Sequence, residues 1–150
     1  MQNTIIFKSA LGNNNSIYAD AIMIRKIVFV DEQQVPLAEE VDQYDQTADH
    51  LVGYHDNEPV CCARILQQNG KWFLGRIAVL KSYRHQQVGI LLLQTLLKYV
   101  KTKHQPVAVY LFAQKQVVGF YAKLGFIKYG ESFIDANIVH FPMVYYYNNN

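Results

Sequence analysis

Gly75-Arg76-Ile77-Ala78-Val79, followed after a polar interval by Tyr83-Arg84-His85-Gln86-Gln87-Val88-Gly89-Ile90-Leu91, is the stretch on which the architecture turns. Its first part ends an apolar and aromatic run over residues 72–80 that reads as a strand. Residues 81–88 are polar and lack strand character. From Gly89 the apolar residues Leu93, Leu96, Leu97 and Val100 fall on one helical face, and the helix runs to Lys103 before Pro106 ends it. Residues 107–112 are again β-branched and aromatic. Strand, helix and strand in this order make a right-handed crossover with its two strands parallel or nearly so. A ligand belongs at the carboxyl end of the first strand, where the helix begins.

Upstream, residues 51–55, 60–68 and 72–80 form three strands of an antiparallel meander. The turn 56–59 separates the first two. Asn69-Gly70, a pair that accepts positive φ, closes the second hairpin. Further back, residues 4–8 read as a strand and 12–16 as a loop in which Ser16 is a candidate helix cap. Ile17, Ala21, Ile24 and Val28 then mark a helix to about Val30, broken by Val35-Pro36. Residues 39–49, acidic and poor in apolar side chains, read as an exposed loop. Downstream, 116–124 is a short helix stopped by Gly125, 127–132 and about 140–146 are strands, and Asn148-Asn149-Asn150 is a frayed tail. The order β–α–βββ–α–β–α–ββ defines an α+β (mixed α/β) domain: a central, mostly antiparallel sheet with one parallel crossover pair, flanked by helices. No repeat or linker divides the chain, so 1–150 reads as one domain.

Composition narrows the partners. The chain is 51% hydrophobic and 17% charged, with a net charge of +2 that is too small for nucleic acid without a localised basic patch. Lys98, Lys101 and Lys103 sit near a helix end, where cations suit the macrodipole. Cys61 and Cys62 are neighbours on a strand and point to opposite faces, which rules out a relaxed disulfide between them. The N-terminus carries no signal-peptide pattern and no apolar run is long enough to span a bilayer, so a cytoplasmic protein with no membrane partner is expected. His50, His55, His85, His104 and His140 are scattered and the cysteines lack C-x-x-C spacing, so no metal is expected.

The chemistry concentrates where the central stretch turns into its helix. The first amides of a helix have no intrahelical acceptor and carry partial positive charge, so several of them aimed at one point bind an anion. Arg84 adds a full charge and Gly89 allows close approach. Residues 84–89 resemble the acyl-CoA-binding signature Arg/Gln-x-x-Gly-x-Gly/Ala of the GCN5-related N-acetyltransferases. Arg84, Val88 and Gly89 fit it. Gln87 stands where the first Gly is usual and His85 where many members have another. A Gln holds right-handed helical φ/ψ, and on that expectation its amide still points inward. Ala113-Gln114 followed by Val117-Val118-Gly119-Phe120-Tyr121-Ala122-Lys123-Leu124-Gly125-Phe126 is similar to the A-x-x-x-A-x-x-F-Y-x-x-x-G-F region of the same family. Two more stretches resemble the ElaA/YjcF-like subgroup: Arg25-Lys26-Ile27-Val28-Phe29-Val30-Asp31-Glu32-Gln33-Gln34-Val35-Pro36, and 130–143, where Asn137 replaces a usual Gly.

The resemblance implies acetyl-CoA as cosubstrate and a primary amine, on a small molecule or a peptide, as acceptor. It places the cofactor against Ile77, Ala78, Val79, Arg84, His85, Gln86, Gln87, Val88, Gly89, Ile90, Phe120 and Tyr121. It makes Tyr121 the acid that protonates the departing thiolate, a role a phenol fills while staying neutral. The base is not fixed by the family. Glu32, Glu40, Asp42 and His140 are candidates, with His140 and Glu32 first because they lie in subgroup-like motifs; each also reads as an ordinary structural residue. The alternative is an acyl-CoA sensor with little turnover, prompted by Gln87. Tyr145-Tyr146-Tyr147 reads either as an edge pairing in a homodimer or as a strand buried on both sides.

Overall fold

The expected meander is present in the computed structural model, which describes residues 4–148. β1 (Ile6–Leu11), β2 (Asp49–His55), β3 (Glu58–Gln68) and β4 (Lys71–Val79) pair antiparallel in that spatial order. Asn69 and Gly70, at φ 52 and 78, close the β3–β4 hairpin as the Asn-Gly signal predicts.

Two helical layers sandwich the sheet. α1 (Ser16–Arg25) is capped by Asn15, whose side chain accepts from the Tyr18 amide at 2.8 Å; Ser16 is the first helical residue and not the cap. The helix then widens into a π-helical segment, Lys26–Glu32. Ala21, Ile24 and Val28 pack on one face of the sheet against Val52, Tyr54, Cys62 and Ala78. On the other face α3 (Val88–His104) lays Val88, Leu92, Leu93, Leu96 and Val100 against Leu51, Cys61, Ile65 and Val109. Cys61 and Cys62 thus face opposite layers, both as free thiols. Each leucine fully buried this way contributes about 1.5–3 kcal/mol.

β5 (Ala108–Gln114) follows α3 and lies parallel to β4, the crossover the sequence predicts. A short turn of 3₁₀ helix and α4 (Val118–Lys123) come next, ended by Gly125 at φ 104. The expected strand over 127–132 is limited to β6 (Ile127–Lys128), and β7 (Phe133–Asp135) forms a hairpin with β8 (Ile138–Tyr146) through Ala136 and Asn137 at φ 50 and 63. Asn137 therefore does take the left-handed conformation for which Gly is usual. The sheet order is β1-β2-β3-β4-β5-β8-β6, with β7 on β8. β8 is thus flanked by β5 and β6, and Tyr145 and Tyr146 pair with Val109 and Ala108. Tyr145 packs on Phe126 while Tyr146 is exposed, so the strand is buried on one side and not on both. Of the expected frayed tail, Asn149 and Asn150 lie outside the described residues.

One expectation is overturned. Residues 39–49 are not an exposed loop: Glu40, Asp45 and Asp49 are buried, on a helical turn α2 (Leu37–Glu40), a 3₁₀ turn Gln43–Gln46 and the start of β2. Arg25, Arg64 and Arg76 draw in Glu40 and Asp45, and Lys103, His104 and Tyr99 hold Asp49.

Candidate active site

The parallel ladder between β4 and β5 holds only at Trp72–Val109 and Phe73–Tyr110. Beyond Phe73 the two strands part. The cause sits on β4: the β3–β4 register shifts between Cys62 and Arg64, and Arg76 takes a left-handed φ of 49. The bulge re-aims the end of β4, and a cavity of about 960 Å³ opens in the gap. Ile77, Ala78 and Val79 line it from the strand, as the sequence predicts.

The N-terminus of α3 closes one end. Gln87 precedes the helix at φ 64, ψ 10 without a side-chain cap, and the first intrahelical bond runs from the Leu91 amide to the Gln87 carbonyl. The amides of Val88, Gly89 and Ile90 are therefore left without intrahelical acceptors. The expectation that Gln87 is right-handed is wrong. It does a glycine's job, and so does His85 at φ 62. Gly89 leaves room beside the helix end, since a Cβ there would lie 3.4 Å from Phe120 Cζ. Arg84 is held back from the gap: its Nε donates to the Val79 carbonyl at 2.8 Å and its Nη2 pairs with Glu32 at 2.9 Å.

Arg84, His85, Gln87, Gly89, Ile90, Phe120, Tyr121 and His140 all line the cavity; Gln86, Val88 and Glu32 do not. Val88 is in the core, and the Gln86 amide donates to the Ser82 carbonyl at 2.7 Å. Glu32 is committed to Arg84. Tyr121 is 7% exposed, and its hydroxyl has no hydrogen-bond partner among the described residues. Burial pushes this phenol well above its ordinary range, so it stays protonated at neutral pH. His140 Nδ1 lies 2.8 Å from the Ile138 carbonyl. A carbonyl only accepts, so Nδ1 carries the proton and a neutral ring keeps its lone pair on Nε2.

The far wall is an ionic cluster that sequence reading missed. Arg25 is 1% exposed and donates to Glu40 Oε2 at 2.8 Å and to Asp45 Oδ1 at 2.9 Å. Arg64 bridges Asp42 at 2.7 Å and Asp45 at 3.1 Å. Arg76, at the bulge, holds Glu40 Oε2 at 2.8 Å, Asp42 at 3.1 Å and the Glu40 carbonyl at 3.0 Å. Burial opposes ionisation of Asp45, but the hydrogen bonds and charges of Arg25 and Arg64 outweigh it and hold the carboxyl low. For Glu40 burial wins over Arg76 and Arg25, and its carboxyl is pushed up. Glu40 and Asp42 are thus held by arginines. The signal was there: each arginine interrupts an apolar run, a place where a cation persists only when paired. Gln33, which follows the π-helical segment and is part of the subgroup-like motif, accepts at Oε1 from Gln114 Nε2 at 2.8 Å, and both residues line the cavity.

A sheet parted beside an uncapped helix N-terminus, with a buried phenol among the residues lining the gap, leaves free amides where an anionic group can be held. Residues 25–147 match the acetyltransferase (GNAT) domain family model, and the chain belongs to that family. It is an acyltransferase of the acyl-CoA N-acetyltransferase class. It is 36% identical to the uncharacterized N-acetyltransferase YjcF of Bacillus subtilis (strain 168) over 91% of this chain and 98% of that one. It is 34% identical to the protein ElaA of Escherichia coli (strain K12), over 86% of each chain. The crystal structure of Escherichia coli ElaA superposes with a TM-score of 0.84 at 28% identity, over 93% of this chain and 99% of that one. An acyl-CoA N-acyltransferase from Pseudomonas aeruginosa shares the fold with a TM-score of 0.85 at 24% identity, over 95% and 99%. Among the described residues no helix is long and apolar enough to cross a membrane.

Proposed function

We propose that residues 1–150 act as one N-acetyltransferase domain that moves the acetyl group of acetyl-CoA to a primary amine by direct attack. The observation that carries this reading is Tyr121: a buried phenol, kept protonated, unpartnered, and lining the cavity beside the uncapped end of α3. Acetyl-CoA lies with its pyrophosphate at the amides of Val88, Gly89 and Ile90, and with its thioester in the gap between β4 and β5, where amides of residues 77–79 polarise the carbonyl. The acceptor arrives as an ammonium and loses one proton to His140 Nε2. The neutral nitrogen attacks the thioester carbon; the C–N bond forms and the C–S bond breaks. Tyr121 protonates the departing thiolate, the second proton passes from the nitrogen through solvent to restore the Tyr121 phenol as the amide forms, and His140 releases its proton to solvent. His140 suits the base better than Glu32, which lies outside the cavity and is paired with Arg84. The buried free thiols of Cys61 and Cys62 fit a reducing compartment, and the cytoplasm is the location we propose.

Free-thiol release from acetyl-CoA tests the reading. Tyr121→Phe should lower kcat about 100-fold or more with little change in the acetyl-CoA KM. A kinetically silent Tyr121→Phe overturns the acid role. Tight acetyl-CoA binding with no thiol release for any amine overturns turnover and leaves the sensor reading.

A further inference from the structure

We propose that the acceptor is a cationic amine carried on an aromatic or apolar body and free of any anionic group. This deepens the acetyltransferase reading above and rests on it.

The charges in the acceptor half of the cavity are unevenly used. The cations there are Arg64 and Arg76, and both are saturated by Asp42, Asp45 and Glu40. Arg84 belongs to the cofactor end and is held by Glu32. Among the described residues no lysine lines the cavity. Two acids that do line it, Glu39 and Asp135, make no ion pair among the described residues. They come from separate elements, Glu39 on α2 and Asp135 at the end of β7. An ammonium entering the cavity meets two carboxylates that no cation among the described residues pairs with. A carboxylate or phosphate on the acceptor finds no free cation and meets repulsion.

The same cavity has an aromatic lining. Phe73 and Phe112 line the cavity with ring centroids 5.7 Å apart. Phe112 continues to Phe133 at 5.2 Å, and Phe133 stacks on His140 at 5.6 Å with 16° between planes. Phe112 is 50% exposed, an unusual state for a ring that size inside a site. This ladder runs from the last β4–β5 pair to the imidazole whose Nε2 is to take the acceptor's proton. Phe73 and Phe112, the two rings of this ladder that line the cavity, offer a ring or alkyl body an apolar surface, and their faces favour a cation nearby. Tyr121, whose hydroxyl has no hydrogen-bond partner among the described residues, lines the same cavity.

The test compares four acceptors by thiol release: 2-phenylethylamine, L-phenylalanine, L-phenylalaninamide and ethylamine. The amide keeps the amino-acid skeleton and removes its charge; ethylamine removes the ring. We expect kcat/KM for 2-phenylethylamine to exceed that for L-phenylalanine and for ethylamine by about tenfold or more, with L-phenylalaninamide recovering most of the first gap. The double variant Glu39→Gln with Asp135→Asn should raise the 2-phenylethylamine KM several-fold, narrow the gap to L-phenylalanine and leave the acetyl-CoA KM unchanged. All the altered side chains are exposed, so the variant is expected to fold, and its melting curve checks this. Thiol release with L-phenylalanine or ethylamine as good as with 2-phenylethylamine overturns the acceptor proposal and leaves the acetyltransferase reading standing. Acetyl-CoA binding without release for any of the four, but with release for another amine, overturns the acceptor proposal alone; no release for any amine overturns both.

Discussion

At the scale of single residues, the cofactor turn is built against the grain of its side chains. His85 and Gln87 both sit at left-handed φ, where a residue with a Cβ costs roughly 1–2 kcal/mol. The sequence reading expected Gln87 to stay right-handed, because that is what a glutamine does when nothing forces it. The turn forces it: the chain must reverse between Arg84, pinned to the Val79 carbonyl, and Val88, pinned in the core. Gln87→Gly should relieve the strain while adding roughly 0.5–1 kcal/mol of backbone entropy cost, for a net gain between nil and about 1.5 kcal/mol. Thermal unfolding should show the midpoint unchanged or a few degrees higher, and calorimetric titration an equal or tighter acetyl-CoA affinity. A lower midpoint would mean that the glutamine side chain contributes contacts of its own. Tyr121 and His140 stand out in the sequence because they sit inside local motifs, and both line the cavity. Glu32 was equally prominent in its motif, and only the fold reveals that its carboxylate is spent on Arg84.

At the scale of elements, α1 and the acidic segment after it behave as one piece. The π-helical turn at Lys26–Glu32 carries the chain from α1, where Arg25 points into the cluster, to Gln33 in the cavity lining. Wide helical turns of this kind often accompany functional sites. Removing one partner from a buried ionic cluster leaves the rest uncompensated, so Arg25→Ala should destabilise the fold by about 3–5 kcal/mol in urea unfolding. A loss under about 1 kcal/mol would show that Arg64 and Arg76 alone satisfy Glu40 and Asp45. The helices and strands themselves were readable from periodicity, give or take a turn. The acidic segment was not, because its partners lie at positions 25, 64 and 76, and a local window of sequence cannot see pairing across such separations.

At the scale of the whole molecule, the layer order and the parallel crossover followed from the alternation of patterns, and the fold agrees with both. Protonation also acts globally. Burial pushes the phenols of Tyr54, Tyr121 and Tyr147 up, and raises Tyr18 and the Cys61 thiol to about 12. Unfolded, these groups ionise at their ordinary values, 9.0 for the thiol and 10.0 for the phenols. Above those values the unfolded chain binds fewer protons than the folded one, so stability falls as pH rises. Melting temperatures followed by circular dichroism should not fall on account of these groups below about pH 9, and should drop steadily above it. An unchanged midpoint at about pH 11 would contradict the burial of these groups.

No sequence pattern announces the gap between β4 and β5, because it goes with the backbone angle of Arg76. Both strands continue past Phe73 and Tyr110, β4 to Val79 and β5 to Gln114, so there is chain enough to have gone on pairing. The protein makes room by leaving a seam unsewn. It gives up a few interstrand bonds, each worth about 0.5–1.5 kcal/mol, while Leu92, Leu93 and Leu96 behind the seam stay fully packed. The size of the chamber is therefore set by a stopping point in the backbone. Evolution can widen or narrow it by moving that point along the strands, without reopening the hydrophobic interior.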